Sequence, residues 1–179
     1  MPNTLFHYTA AFMFLAVAGC AQPDGGPVTI PTTSVKNLKQ DGAVFVAGAP
    51  TPEGLDEMKD RGVTTIIDLR RPEEAAYDEE AAARARGLNY IRLPMPSDQL
   101  TPQQADAFID ALRPHEHEKV LIHCAGGSRA AAMYGLYLGT EKSCPTAEAL
   151  RRARQAGLKN EKLTEDLTRE VDRRRTAGE

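Results

Sequence analysis

Short apolar runs alternate with amphipathic stretches along most of the chain. Four apolar runs are typical of β-strands, at residues 43–46, 63–67, 90–93 and 119–123. The second is β-branched, which favours a strand. The fourth is apolar at consecutive positions, as in a central parallel strand covered on both faces. The pattern therefore predicts a sheet in which strands recur at intervals long enough for helices between them.

The intervening stretches carry helical periodicity and clear start and stop signals. We predict helices between Thr51 and Gly62, over 73–86, between Thr101 and Pro114, and over 130–138, 147–155 and 161–174. Thr101 and Gln104 form a capping-box pattern before an apolar stripe. Strand and helix alternation of this kind predicts one α/β domain, a central mostly parallel sheet of four to five strands flanked by helices.

The first residues differ from the rest of the chain. Residues 5–19 are nearly all apolar or small and uncharged, but about 15 residues are too few to span a bilayer, which needs ~20. They end at Cys20 in a Val-Ala-Gly-Cys sequence that resembles the lipobox of bacterial lipoproteins. The resemblance implies a signal peptide over 1–19, a lipidated Cys20 and a location on the periplasmic face of a bacterial membrane. Ala21 agrees with sorting to the outer membrane.

Residues 20–33 are rich in Pro, Gly and Thr and are predicted to form a flexible tether. Residues 34–179 then form the folded domain. No Lys or Arg precedes the apolar run, so a misassigned start codon, with a secreted or cytoplasmic protein, stays open as the alternative.

Charge excludes one class of partner. The 179 residues carry a formal net charge of -3, and the one dense basic run, 173–175, is offset by Glu170 and Asp172. Nucleic-acid binding needs a basic face to neutralise phosphates. We expect no nucleic-acid partner.

The candidate chemistry lies in His-Cys-Ala-Gly-Gly-Ser-Arg, residues 123–129, where the fourth predicted strand meets a predicted helix. In open α/β sheets, ligands bind at the carboxyl ends of strands. The N–H groups of four residues can form an anion nest with the helix N-terminus, namely Ala125, Gly126, Gly127 and Ser128. Arg129 offers a planar fork for two oxygens of phosphate or sulfate. The same positive field favours a thiolate at Cys124, and His123 can orient the loop or stabilise that thiolate.

This loop resembles the signature of the cysteine-dependent protein tyrosine and dual-specificity phosphatases, and especially the bacterial beta-lactamase-hydrolase-like domains with a shortened loop. The resemblance extends to residues 47–53, to 65–70 with Glu74 behind them, and to 90–94. It implies a phosphatase fold and hydrolysis of phosphomonoesters through a phosphocysteine. It also implies that the reaction uses no metal or organic cofactor, and that inorganic phosphate or sulfate would bind in the same loop.

The resemblance assigns roles to individual residues. Cys124 corresponds to the nucleophile and Arg129 to the ligand of the transferred phosphoryl group. An Asp in the loop after the third strand corresponds to the acid that protonates the leaving oxygen, and this is Asp98 here. Asp98 can equally be a turn residue, and Asp106 is a poorer candidate because it falls inside a helix.

The sequence departs from the family pattern at two places. Four residues separate Cys124 from Arg129 where the family has five, and Ala130 stands where phosphatases carry Ser or Thr. That hydroxyl helps the thiolate leave, so the resemblance implies slow hydrolysis of a phosphoenzyme unless Ser128 substitutes.

Other interpretations stay open. A rhodanese-like sulfurtransferase also uses a short Cys-centred loop, and a weakly active phosphate- or phosphopeptide-binding module needs no turnover at all. The third alternative is that Cys124 is a purely structural cysteine.

Cys144 is interpreted as a packing residue, with a protective Cys124–Cys144 disulfide as the alternative. We read Arg70 and Glu74 as a brace for the sheet end, and the His115-x-His117 turn as solvated rather than metal-binding.

Overall fold

The computed structural model describes residues 25–177, which build a six-stranded sheet with the order β1-β2-β3-β6-β4-β5. The strands are β1 (Val28–Thr29), β2 (Lys39–Asp41), β3 (Val44–Ala47), β4 (Val63–Asp68), β5 (Asn89–Arg92) and β6 (Lys119–His123). The four strands β3, β6, β4 and β5 run parallel, and β1 and β2 join antiparallel at one edge. The α/β class and the mostly parallel sheet are confirmed.

Six α-helices flank this sheet within the described residues. They are α1 (Pro52–Asp60), α2 (Glu79–Ala85), α3 (Pro102–Leu112), α4 (Ser128–Thr140), α5 (Thr146–Ala156) and α6 (Glu161–Ala177). Two of the sequence signals take their expected form. The Thr51 side chain accepts from the Gly54 N–H, and Thr101 and Gln104 form a reciprocal capping box.

The sheet separates two apolar layers because successive strand residues point to opposite faces. Phe45, Leu121 and Ile66 face α1 and α2 in one buried cluster. Val46, Ile122 and Ile67 face α3 to α6 in a larger one. Burial on both faces explains why these strands are continuously apolar in sequence.

Helix α4 is the central helix of the larger layer and is buried along almost its whole length. Two glycines allow α5 and α6 to approach it. A Cβ on Gly135 would lie 2.8 Å from Leu167 Cδ2 and 2.9 Å from Ala153 Cβ, and one on Gly139 would lie 2.6 Å from Val171 Cγ1. This packing fixes α4, and with it the loop that precedes it.

The structure differs from the sequence prediction in two places. Val28–Thr29, within the predicted tether, pairs with Lys39–Asp41, so the sheet has six strands rather than four to five. The helix predicted over 73–86 is a 3-10 turn at Pro72–Glu74 and a separate helix from Glu79. The helix restarts there because the Asp78 carboxylate caps the Ala81 N–H, while Glu74 caps the Arg71 N–H.

The predicted signal peptide and Cys20 lie outside the described residues. Within residues 25–177, no helix combines the length and the apolar character needed to cross a membrane.

Candidate functional site

The site lies where the parallel strands end. β6 is central in the sheet, between β3 and β4, and its last residue, His123, is level with Ala47 and Asp68. Residues 124–127 then form a loop, which we call the cradle together with Ser128 and Arg129 at the start of α4. The cradle therefore occupies the position in an α/β sheet where anionic ligands bind.

Cys124 lies at the base of the cradle with only 2% of its surface exposed. Its Sγ accepts a hydrogen bond of 3.0 Å from the Gly127 N–H. Gly127 has φ of 105°, a left-handed conformation that glycine adopts without a Cβ clash. This conformation turns the backbone N–H towards the sulfur.

Arg129 is also buried, and its guanidinium is held from several sides. Nη1 donates to the carbonyls of Leu69 and Met95, at 3.2 and 2.9 Å. Glu74 accepts from Nη1 at 2.9 Å and from Nη2 at 2.6 Å. The hydrogen bonds from Arg129 are the main reason that the pKa of Glu74 falls from 4.5 to about 2. Burial acts against the charge of Arg129, but the pairing with Glu74 and the field of Cys124 raise its pKa nonetheless.

Behind the cradle lies a buried network that links the ends of β4 and β6 to α2. His123 Nε2 lies 2.8 Å from Glu79 Oε1, a close polar contact that is not aligned as a hydrogen bond. Arg70 donates to both oxygens of Asp68 and to Glu79 Oε2. The Tyr90 hydroxyl donates to Asp68 Oδ2 at 2.6 Å. Burial disfavours the charge on Asp68, yet the bonds from Arg70 and the nearby His123 outweigh it and lower its pKa.

The same network is the one cluster among residues 25–177 whose ligand atoms are close enough to hold a metal ion. One atom each of Asp68, Glu79 and His123 lie within 4.8 Å of one another. Arg70 already supplies a cation to both carboxylates at 2.6 to 2.9 Å, so the cluster is best described as an ion-pair network. His117 is almost fully exposed, and His115 contacts Glu118 instead of a second histidine.

Two surface segments are pinned to opposite sides of the cradle. On one side, the Asn37 amide donates to the Gly126 carbonyl at 3.1 Å, and Gly48 N–H donates to the Lys36 carbonyl at 2.7 Å. On the other side, the Lys159 N–H donates to Ser128 Oγ at 3.2 Å. The Ser128 hydroxyl oxygen thus accepts a hydrogen bond from the connection between α5 and α6.

The segment after β5 contains the predicted acid. Asp98 is exposed, and its carboxylate accepts no hydrogen bond from any group in residues 25–177. The neighbouring Ser97 carbonyl accepts from the Asn160 amide at 3.4 Å. Asp106, the poorer candidate, pairs with Arg174 at 2.6 Å.

The structure brings together most residues that the sequence singled out. His123, Cys124 and Arg129 share one strand-loop-helix unit with the glycines between them. Cys124 is a free thiol, so it forms no disulfide with Cys144, which is fully buried. Arg70 does brace the sheet end, but Glu74 does not join it and contacts Arg129 instead.

Two residues of the site were not found in the sequence. Glu79 lies inside the helix predicted over 73–86, and Asn37 lies in a segment for which the sequence predicted no element. Asn37 has a positive φ of 53°. This conformation is uncommon for residues other than glycine and occurs often in functional loops. From the sequence alone, Asn at this position indicates only that a positive φ is tolerated there.

Comparison with known proteins agrees with this geometry. Residues 26–170 match the family model described as "DSP-PTPase phosphatase fused to NAD+ Kinase". The Beta-lactamase hydrolase-like protein of Xylella fastidiosa is 34% identical over 96 residues, 51% of this chain but only 22% of that protein. The match thus spans about a fifth of the curated relative.

Solved structures show the same fold. TpbA of P. aeruginosa superposes with a TM-score of 0.69 at 16% identity, over 87% of this chain and 94% of TpbA. A mutant form of Tk-PTP gives 0.69 at 24% identity, over 80% of this chain and 97% of that protein.

Proposed function

The chain belongs to the protein tyrosine and dual-specificity phosphatase family that its residues 26–170 match, and from that premise we propose that it hydrolyses phosphomonoesters through a phosphocysteine at Cys124. The observation that carries this proposal is the pairing of the Cys124 sulfur with the Gly127 N–H, beside an Arg129 guanidinium close enough to interact with that sulfur. Nucleophile and anion ligand thus face the same small space at the N-terminus of α4.

The first step forms a bond between sulfur and phosphorus. The Cys124 thiolate attacks the phosphorus in line with the ester oxygen, and the phosphorus–oxygen bond breaks. Asp98 gives a proton to the departing oxygen. The cradle N–H groups from Ala125 to Ser128 and the free edge of Arg129 stabilise the charge on the three other phosphoryl oxygens.

The second step regenerates the enzyme. Water attacks the phosphocysteine, the ionised Asp98 takes a proton from that water, and the sulfur–phosphorus bond breaks. Inorganic phosphate leaves and the Cys124 thiolate is restored. His123, held against Glu79, fixes the backbone from which Cys124 projects. A general acid of this kind typically contributes about 10²–10⁴-fold to the rate.

The test is phosphate release from phenyl phosphate by the full-length chain, beside Cys124→Ser and Asp98→Asn. We expect no release by Cys124→Ser and a loss of about a hundredfold or more for Asp98→Asn. Asp106→Asn, which alters the other acid considered, is the matched control and should retain activity. Rapid acid quenching with ³²P-labelled substrate should trap label on the wild-type protein and none on Cys124→Ser.

Failure has a distinct signature. No phosphate release from the wild-type protein, with thiocyanate formed from thiosulfate and cyanide, would replace this proposal by sulfur transfer. Binding of inorganic phosphate without turnover would replace it by an anion-binding module.

We also propose that the protein is anchored at the periplasmic face of a membrane through Cys20. The support is the sequence of residues 5–20 alone. Metabolic labelling with palmitate should mark the wild-type chain and leave Cys20→Ser unlabelled.

A further inference from the structure

Unpaired lysines are concentrated around the cradle. All seven lysines of the chain fall within residues 25–177. Four direct their ammonium groups to protein oxygens, namely Lys39, Lys119, Lys142 and Lys162. Among the described residues, the other three have no ammonium contact: Lys36, Lys59 and Lys159. Two of these three, Lys36 and Lys159, belong to the segments pinned to the cradle.

Lys36 is held against the cradle by its backbone. Its carbonyl accepts from the Gly48 N–H at 2.7 Å, and the next residue, Asn37, donates to the Gly126 carbonyl. A Cβ on Gly48 would lie 3.0 Å from both Lys36 Cβ and the Ala125 carbonyl oxygen. Gly48 therefore lies at a close approach between the Lys36 segment and the cradle, where a side chain would not fit without a shift. The Lys36 side chain is exposed.

Lys159 is fixed on the opposite edge. Its N–H donates to Ser128 Oγ, the next residue contacts the acid loop at Ser97, and the preceding Leu158 is buried. The backbone is therefore anchored on three sides while the side chain stays exposed. An exposed cation with no carboxylate partner is free to bind an anion supplied by a ligand.

We propose, resting on the phosphatase function above, that Lys36 and Lys159 select phosphomonoesters that carry a second anionic group close to the reacting phosphate, as in a compact organic bisphosphate. The reacting phosphoryl group is already served by the cradle N–H groups and Arg129, so additional cations at the rim favour additional charge on the substrate. Both lysines lie within one residue of a hydrogen bond to the cradle. This closeness favours a small ligand over an acidic peptide. In a peptide, the length of the phosphorylated side chain separates the reacting phosphate from the neighbouring carboxylates.

The test compares two probes with the same aromatic leaving group, phenyl phosphate and 1,3-phenylene bisphosphate. For the wild-type full-length chain we expect kcat/KM to be at least tenfold higher for the bisphosphate. Lys36→Met and Lys159→Met should each reduce this ratio about two- to threefold, since an exposed charge pair is weak, and the double variant should bring it near two, the statistical value. Added salt should lower the ratio for the wild-type chain.

Lys59→Met is the matched control because Lys59 is equally unpaired but lies in the last turn of α1, at the far end of that helix from the cradle. It should leave the ratio unchanged. A ratio that is near two in the wild-type chain, or equal in wild type and double variant, would overturn the proposal. So would lysine-dependent selection between acidic and alanine-flanked phosphotyrosine peptides without selection between the small probes. Hydrolysis of phenyl phosphate by the wild-type chain, absent in Cys124→Ser, keeps the phosphatase function separate from any of these results.

Discussion

Glu74 grips one edge of the Arg129 guanidinium through two hydrogen bonds, 2.6 Å from Nη2 to Oε1 and 2.9 Å from Nη1 to Oε2. Nη1 donates in addition to two backbone carbonyls, at Leu69 and Met95. That edge is therefore satisfied by the protein itself. Nε donates no hydrogen bond to any group in residues 25–177, so Nε and the second N–H of Nη2 are the donors of the guanidinium left for a phosphoryl group.

Loss of this carboxylate should impair catalysis. In Glu74→Gln the side chain keeps its length but offers one acceptor and no charge, so Arg129 is free to rotate away from the Cys124 side. We expect kcat/KM for phenyl phosphate to fall about tenfold to a hundredfold, equivalent to ~1.4–2.7 kcal/mol of transition-state stabilisation. Glu73→Gln changes the neighbouring, exposed acid and should stay within twofold of wild type. Equal activity of the two variants would show that Glu74 does not position Arg129.

The same pair should make stability depend on pH at the acidic end. The bonds from Arg129 hold the pKa of Glu74 at about 2 in the folded protein, below the ordinary value of 4.5. Because the folded-state pKa is lowered, the stabilisation is complete above pH 4.5 and is lost as the pH falls towards 2. Urea unfolding should show wild type about 1 kcal/mol more stable than Glu74→Gln at pH 7, and the difference should largely vanish at pH 2.5. A constant difference across this range would contradict the assigned pKa.

The core strands were predictable because their signal is local. β6 was located at its observed bounds and β3 to β5 within one or two residues, since burial on both faces demands continuous apolar runs. β1 and β2 were not predicted. Lys39–Asp41 is polar and half-buried, and its position in the sheet depends on pairing with Val44–Ala47 rather than on its own sequence.

Only those residues of the site that lie close together in the sequence were predictable. His123, Cys124 and Arg129 lie within seven residues, so a motif could reveal them. Glu79 and Glu74 reach the site from other elements, and only the folded chain brings them to it. Two Glu residues five apart gave no sign that one binds Arg129 and the other faces His123.

The buried network should be sensitive to the loss of one charge. Glu79→Gln leaves Arg70 and His123 without one of their two carboxylates in a site closed to water, and a broken buried pair typically costs ~3–5 kcal/mol. We expect the free energy of unfolding to fall by about that amount, measured by urea at pH 7. Glu80→Gln, one residue along and half-buried, alters only a surface pair with Arg84 and should change it by less than about 0.5 kcal/mol. A similarly small effect in Glu79→Gln would mean that solvent reaches the network.

Gly48 should be required for the shape of the cradle more than for stability. The Cβ introduced by Gly48→Ala meets the Ala125 carbonyl and Lys36 at 3.0 Å, so the cradle has to shift by a few tenths of an ångström. We expect about a tenfold loss of kcat/KM for phenyl phosphate. Gly87→Ala should show the reverse pattern. A Cβ there has no atom within 4 Å, but the φ of Gly87 is +75°. The free energy of unfolding should therefore fall by about 1 kcal/mol while activity stays intact. Intact activity in Gly48→Ala would show that the contact yields without moving the cradle.

Ala130 should limit the second half of the reaction. It follows Arg129 directly, is fully buried, and provides no hydroxyl to help the sulfur leave phosphorus. The Ser128 hydroxyl, the alternative, is directed to the Lys159 N–H in the connection between α5 and α6. We therefore expect the wild-type chain to release a burst of phenol equal to the enzyme concentration, followed by slow turnover.

Ala130→Ser should raise the steady-state kcat about three- to tenfold and shrink the burst. Ala131→Ser, buried to the same degree one residue further along α4, is the control that should retain the burst. A wild-type chain without a burst would place the slow step before phosphocysteine formation, and the missing hydroxyl would then not limit turnover.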